Sequence, residues 1–220
     1  MLPFGKIEAT PLSEKISMLL KDAIIEGHFK AGEELVLTTI ADQYGVSRTP
    51  VREAFQRLAK DGFLTLRMNR SAVVVGIDEH FLRNHYEIRA VLEAQAAYDA
   101  AANATDFSEL VRIQDYMEKL PLPMSLEDFR NFNMMFHRCI WDLSGNERLK
   151  QLLSDMWVSS YSSSALPEIS RQTRTLNSHR RLVNDMLAHD SEACFNHMKE
   201  HIMGSLRNIL KILDEGKKEA

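Results

Sequence analysis

The apolar positions in the first third of the chain follow a helical period and then give way to two short continuous runs. Helical spacing predicts three helices, over residues 13–27, 37–44 and 47–61, each with a glycine at or just after its end. The apolar runs 63–66 and 72–75 predict two short strands, because the link between them is largely polar and basic, as in a hairpin.

After Gly76 the pattern is helical throughout. Residues 78–104 predict one long helix whose apolar side carries Phe81, His85, Ile88, Leu92, Ala96 and Tyr98. Five further helices are predicted over residues 107–119, 126–144, 146–163, 172–188 and 191–214, followed by a frayed tail. The chain is therefore predicted to be mainly α. A winged helix-turn-helix domain (residues 1–76; three helices plus a two-stranded wing) is joined to an all-α antiparallel six-helix bundle (residues 77–220).

Five residues at fixed offsets in the second and third helices are of the types that a helix-turn-helix needs. Ala41 is small enough for two helices to cross closely, and Gly45 tolerates the positive φ of the turn. Val46, Val51 and Phe55 supply the apolar sides that join the two helices. The joint occurrence of all five is far more specific than any one of them.

Charge along the chain favours a nucleic-acid partner for this domain. The whole protein has a formal net charge of −4, yet residues 48–70 carry six basic and two acidic side chains. Such side chains bond to phosphates and to base edges in the grooves of duplex DNA. The DNA-contacting residues predicted are Thr38, Arg48, Thr49, Arg52, Gln56, Arg67 and Arg70. The alternative is a structural three-helix unit, or one used for protein contacts.

Composition points to a cytoplasmic protein with no membrane partner. No stretch approaches the roughly 20 apolar residues of a membrane span. The first residues lack the features of a signal peptide, and the two cysteines, Cys139 and Cys194, are too few and too far apart for a disulfide framework.

Three histidines in the helical part are candidate metal ligands. Asn133 and His137 are four residues apart on one predicted helix and so lie on the same side, while His179 and His201 belong to the last two helices. Three imidazoles and one oxygen donor suit Zn, Ni or Mn. Spacing does not show that they converge. Ordinary surface or core histidines remain open, as does a competing pair of His197 and His201 on one helix.

Residues 45–64, from the turn through the third helix, resemble the signature of GntR-type bacterial regulators. The resemblance implies that Arg48 and Arg52 contact DNA directly, with Thr49 between them. One departure lies at the wing, where Arg70-Ser71 replaces the usual Arg-Gly pair. Serine adopts a positive φ less readily than glycine, which bears on the geometry of the wing and on its minor-groove contact.

The helical part is similar to the FCD ligand-binding domain of the FadR-type branch, in its shorter, VanR-like six-helix form. The similarity rests on residues 133–137 and 144–146, which match the pattern Asp-x-x-Phe-His…Gly-Asn, and on the later His179 and His201. It implies that Asn133, His137, His179 and His201 hold one divalent transition metal per subunit, which helps to bind the carboxylate of a small organic acid. Asn133 stands where the family usually has Asp, so metal affinity should fall.

Residues 87–93 resemble the Arg-x-x-Leu-Glu segment that opens the FCD domain. The resemblance implies that Arg89 points into the effector cavity, where a buried guanidinium can clamp a carboxylate with two hydrogen bonds. The alternative is a salt bridge from Arg89 to Glu93 on the helix surface.

These features together predict a ligand-responsive transcription regulator, a repressor by default, that binds a palindromic operator as a homodimer. A DNA-binding regulator whose helical domain only dimerises is the first alternative. A metal-dependent hydrolase is the second. It would need an open metal position and a general base, and no carboxylate stands out in the histidine motifs. We expect the protein not to be an enzyme.

Overall fold

The computed structural model describes residues 11–157 and 168–218, apart from residues 26, 69 and 77. The chain divides into two compact units, Met1–Ile77 and Asp78–Ala220. The first is a small winged helix-turn-helix and the second is entirely helical in its described part, so the predicted fold class is confirmed. No described helix has the length and hydropathy that crossing a bilayer requires.

The first unit packs three helices against a small antiparallel sheet. Its elements are α1 (Leu12–Ile25), β1 (Glu34–Val36), α2 (Leu37–Tyr44), α3 (Arg48–Lys60), β2 (Leu64–Arg67) and β3 (Ser71–Val74). Leu20 of α1 and Val51 and Leu58 of α3 are fully buried where the two helices meet. A buried ion pair between Lys21 and Asp61, with Nζ and Oδ2 2.9 Å apart, joins α1 to the end of α3.

The wing has three strands, and the predicted two-stranded wing was incomplete. β1 pairs with β3, and the strand order is β1-β3-β2. Three residues are too few to show a period along the sequence, so β1 is recognisable only by its pairing partner. Ser71 lies in β3 and its Oγ donates to Glu34 Oε1 at 2.5 Å. In this extended position serine needs no positive φ.

The second unit contains six described helices. They are α4 (Glu79–Asn103), α5 (Ser108–Lys119), α6 (Leu126–Leu143), α7 (Glu147–Met156), α8 (Glu168–Leu187) and α9 (Ser191–Lys218). Helix α4 is central and contacts α6, α7, α8 and α9. Four fully buried alanines, Ala90, Ala94, Ala97 and Ala101, form a stripe along α4. Side chains this small allow close helix packing, and α4 packs most extensively against α9.

Three helix ends and one helix side differ from the prediction. Helix α7 ends at Met156 rather than 163, because Trp157 leaves the helix and buries its side chain; residues 158–163 lie outside the described residues. Helix α8 begins at Glu168, and α9 continues to Lys218 through the tail expected to fray. The predicted apolar side of α4 was only partly right: Ala96 is fully buried, but Ile88 is 57% exposed, and Arg89 and Glu93 face inward instead.

Candidate metal centre and DNA-binding surface

The DNA-binding surface begins with the turn between α2 and α3. Gly45 has φ +63°, and the buried Ala41 accepts the Val46 N–H at 3.0 Å. Val51 and Phe55 are buried where α3 packs onto the rest of the unit. The geometry required for a helix-turn-helix is therefore present at the residues that suggested it.

The opposite side of α3 is left to solvent. Arg48, Thr49, Arg52 and Gln56 are all exposed there. The first turn of the helix also presents backbone N–H groups and a partial positive charge. Thr38 on α2 is only half-buried. The four predicted DNA-contacting side chains of α3 are therefore exposed, as the prediction requires.

The wing carries two of the predicted side chains and one that the sequence analysis missed. Arg67 and Arg70 are exposed on either side of the hairpin, and Met68 between them is 97% exposed. An exposed apolar side chain between the two arginines was not part of the predicted DNA-contacting set. No periodicity marks a single residue in a hairpin, so the sequence carried no signal for it.

The three candidate histidines come from separate helices and converge in the second unit. His137 of α6, His179 of α8 and His201 of α9 have ligand nitrogens that all lie within 4.8 Å of one another. The Nε2 atoms of His137 and His201 are 3.3 Å apart. Asn133 is also buried, one helical turn before His137. The structure thus brings the histidines together, as spacing alone did not show.

His179 has unusual surroundings for a buried histidine. Its side chain is fully buried, and neither ring nitrogen has a hydrogen-bond partner in the described structure. Its ring stacks on Phe136 with centroids 3.8 Å apart. Burial lowers the pKa of His179 well below its usual value, and the nearby His201 and His137 lower it further, so the imidazole is neutral. A neutral ring with unsatisfied nitrogens suits a metal ligand.

His201 has the same protonation state for similar reasons. Burial and the neighbouring His137 lower the pKa of His201 to about 3. Its Nδ1 lies 3.0 Å from Ser178 Oγ, which leaves Nε2 directed at His137. Neutral imidazoles are the form that binds a transition metal, so this donor set fits one.

Glu93 completes the centre and had been considered only as a surface partner of Arg89. It is fully buried, and its Oε2 accepts from Trp141 Nε1 at 2.7 Å and lies 3.0 Å from His137 Nδ1. Although burial raises it, the interactions with His137 and with the guanidinium of Arg89 bring the pKa of Glu93 down to about 2. The ionised carboxylate therefore accepts from Nδ1–H, which leaves the Nε2 lone pair of His137 available to a metal.

Arg89 forms a salt bridge with Glu93, which was the alternative to an effector contact. The pair lies inside the bundle, however, and not on the helix surface. Its Nε and Nη2 donate to Glu93 Oε1 at 3.2 and 3.0 Å, and its side chain is 6% exposed. The guanidinium carbon lies 4.5 Å from the ring centroid of Trp157. Among the described residues only Glu93 accepts from this guanidinium, so other N–H groups are available to a ligand.

The competing pair of His197 and His201 is not brought together as metal ligands, because His201 is grouped with His137 and His179 instead. His197 Nδ1 lies 2.5 Å from Asp185 Oδ2.

Both cysteines are free thiols, and burial raises the pKa of Cys139 and of Cys194 to about 12. Neither thiol is poised to act as a ligand or nucleophile.

Comparison with known proteins accounts for both units. Residues 12–74 match the family described as bacterial regulatory proteins, gntR family, and residues 84–204 match the FCD domain. The chain belongs to the GntR family and carries an FCD domain. The resemblance predicted from residues 45–64 and 133–146 is thereby confirmed.

Two relatives and one solved structure show how far the likeness extends. This GntR-family chain is 30% identical over 190 residues to the Nta operon transcriptional regulator of Aminobacter aminovorans, covering 84% of this chain and 89% of that protein. It is 29% identical over 214 residues to the HTH-type transcriptional regulator YdhC of Bacillus subtilis (strain 168), covering 94% and 95%. The structure of E. coli McbR/YncC has the same fold, with a TM-score of 0.72 at 24% identity over 93% of this chain and 99% of that one.

The GntR-family protein is a DNA-binding transcription regulator and not an enzyme. The hydrolase alternative is therefore set aside. The site chemistry agrees, because Glu93, the carboxylate beside the histidines, already accepts from Arg89, His137 and Trp141 and is not free to act as a general base.

Proposed function

We propose that the protein is a ligand-responsive regulator whose helical unit binds one divalent transition metal (Zn, Ni or Mn) and a small organic acid. The proposal depends above all on His179, which is fully buried beside two other histidines with both ring nitrogens unsatisfied. An unpaired buried polar group costs roughly 1–3 kcal/mol, and a bound metal would remove that cost at one nitrogen. Residues 1–76 are proposed to bind DNA, and residues 77–220 to sense the ligand and dimerise.

The metal ligands proposed are Asn133, His137, His179 and His201. When bound, the metal supplies a Lewis acid that can hold an effector carboxylate. Asn133 contributes a neutral oxygen, and the negative charge near the centre comes instead from Glu93, through its hydrogen bond to His137.

Arg89 is proposed as the effector anchor. A guanidinium with free N–H groups, buried beside Trp157, can hold a carboxylate in a fixed orientation. Arg89 lies on α4, which begins at Glu79, directly after the first unit ends in sequence. Ligand binding on this helix is therefore proposed to alter operator affinity through the segment that joins the two units.

A homodimer on a palindromic operator explains how one small winged helix achieves specificity. Two copies place two DNA-reading helices about 34 Å apart, one turn of duplex. Ile88 and Val91 lie at least half exposed one turn apart on α4, and such an apolar pair suits a surface between two copies.

A dimer that covers its operator blocks the access of other proteins to that DNA by its size alone, so we propose repression. A DNA-binding regulator of bacterial type would act in the cytoplasm, where the chromosome lies.

Replacement of Arg52 by Ala is expected to weaken operator binding by about 1–3 kcal/mol, which is roughly 5- to 150-fold in Kd. The operator is first obtained by selecting bound genomic fragments, and affinities are measured by fluorescence anisotropy at fixed salt. Arg57→Ala is the matched control: Arg57 is on the same helix but faces α1, with Nη1 3.9 Å from Glu14 Oε2. Equal affinities for the wild type and Arg52→Ala would contradict the contact assigned to Arg52.

A panel of small organic acids is expected to contain members that raise the Tm of the metal-loaded protein and change its operator affinity. Arg89→Lys should abolish both responses while zinc content is retained, because an ammonium keeps the charge but loses the planar fork. Differential scanning fluorimetry and operator titration check this. If no carboxylate shifts either quantity, the helical domain only dimerises and the sensor proposal is wrong.

A further inference from the structure

A cavity in the helical unit lies between α8 and α9 and has a volume of about 350 Å³. Its lining comes from one side of each helix: Arg171, Arg174, Thr175, Asn177, Ser178 and Arg181 from α8, and His197, Glu200, His201, Gly204, Ser205, Arg207 and Asn208 from α9. We call it the α8–α9 cleft. Of the residues proposed to hold the metal or the effector, only His201 lines the α8–α9 cleft.

The cleft is strongly positive although its domain is acidic. Four arginines line it against one carboxylate, Glu200. In the described part of the chain, Arg181 and Arg207 form no ion pair, and Arg174 donates to the neutral Asn208 Oδ1 at 3.1 Å. Of these arginines, Arg174 joins α8 to α9 through that bond, whereas Arg181 and Arg207 make no ion pair within the described structure.

A neighbouring arginine on α8 shows what a structural role looks like. Arg180 points away from the cleft and donates to two carboxylates, with Nη2 2.5 Å from Asp115 Oδ1 and 2.6 Å from Glu118 Oε2. Those bonds raise the pKa of Arg180 above its usual value, although burial lowers it in part. Arg181, one residue later, has no such partner in the described structure. Helix α8 thus neutralises Arg180 on one side and leaves Arg181, on the side of the cleft, without an ion pair in the described structure.

The wall between the arginines is small and carries donor groups. Thr175, Ser178 and Ser205 contribute hydroxyls, and Gly204 contributes no side chain. Short side chains leave room for a ligand among the long arginine stems, and hydroxyls add hydrogen bonds to its oxygens. Ser178 also contacts His201 Nδ1 at 3.0 Å, so a ligand at the wall of the cleft is one hydrogen bond from the histidine cluster.

We propose that the α8–α9 cleft is a second ligand site that binds a small anion carrying two or more negative charges, a phosphate or a polycarboxylate. Guanidinium groups recognise both through paired hydrogen bonds, and several of them around one cavity match several charges on one ligand. A volume of this size is at the lower end for small-molecule sites, which favours a compact ligand. The cleft shares His201 with the proposed metal site but includes neither the other proposed metal ligands nor Arg89.

Calorimetric titration of the full-length, zinc-loaded protein with inorganic phosphate and with tricarballylate tests the proposal and separates the two sources of charge. At least one probe is expected to bind, and Arg181→Gln and Arg207→Gln should each weaken it roughly tenfold or more, since each removes charge-assisted hydrogen bonds. Added NaCl should weaken binding further. Arg112→Gln is the matched control, because Arg112 is exposed on α5 and pairs with Glu109.

Zinc content and operator affinity of both cleft variants should equal those of the wild type, which distinguishes this site from the metal site. Binding of neither probe at millimolar concentration would overturn the proposal. So would equal affinity of the probes for the wild type and the cleft variants. A loss of operator affinity in Arg181→Gln and Arg207→Gln without probe binding would assign the cleft to DNA instead and overturn it as well.

Discussion

Replacing Glu93 by Gln is expected to lower the stability of the helical unit by about 3–5 kcal/mol, the usual cost of breaking a buried ion pair from one side. The introduced amide oxygen would still accept a hydrogen bond from Trp141, but the charge of Arg89 would be left buried without compensation. For a domain of this size the loss corresponds to a fall in Tm of about 10 °C. Thermal unfolding followed by circular dichroism measures it.

The chain contains a matched control for this substitution on the same helix. Glu79 and Arg83 form an ion pair with the same four-residue spacing, but both side chains are about half exposed. Glu79→Gln should change stability by less than about 0.5 kcal/mol, because water screens exposed pairs. If the two substitutions have equal effects, burial does not determine the strength of the Arg89–Glu93 pair.

Replacing His179 by Leu is expected to act in opposite directions with and without metal. In metal-free protein the change removes two unsatisfied ring nitrogens from the interior, so stability should be unchanged or slightly higher. With zinc at a thousand times its Kd, the wild type should gain about 4 kcal/mol from binding and the variant far less. Denaturant unfolding of dialysed and zinc-loaded protein gives both numbers.

His80→Leu serves as the control because His80 is exposed at the start of α4, and its ring hydrogen-bonds only to Asn84 among the described residues. Its zinc-dependent gain should equal that of the wild type. Elemental analysis should show near-stoichiometric metal in both and little in His179→Leu. If zinc raises the stability of His179→Leu as much as that of the wild type, His179 is not a metal ligand and the proposed metal centre is wrong.

Local sequence rules were sufficient for the helix-turn-helix. The sharp turn needs a residue that accepts positive φ and the crossing needs a small one, so Gly45 and Ala41 mark the motif within a few residues. Helices of the second unit were predictable for the same reason, since their apolar period is set by their own residues. A helix end that depends on distant packing was not predictable. Helix α7 stops at Met156 because Trp157 turns inward to contact His137 and Trp141.

The strand β1 and the polar interior of α4 show where local rules stop. β1 exists because the distant strand β3 pairs with it, with Glu34 opposite Val73 and Val36 opposite Ser71. Glu93 is buried because Arg89, His137 and Trp141 bond to it, and two of those partners belong to α6. Hydrophobic periodicity places a charged residue on the surface by default, so Ile88 was predicted inward and Glu93 outward.

The amino-acid sequence by itself was enough to predict the family, the two-domain order and the helix-turn-helix, because each depends on residue types at short spacing. The candidate metal ligands were named through the resemblance to the FCD domain, since His137, His179 and His201 are far apart in the sequence. Only the tertiary structure decided that His137, His179 and His201 converge, that Glu93 orients His137, and that four arginines line one cleft. These side chains come from different helices, and the distances between them depend on how the helices pack. Packing in turn depends on the alanine stripe of α4 and on many contacts that no single segment encodes.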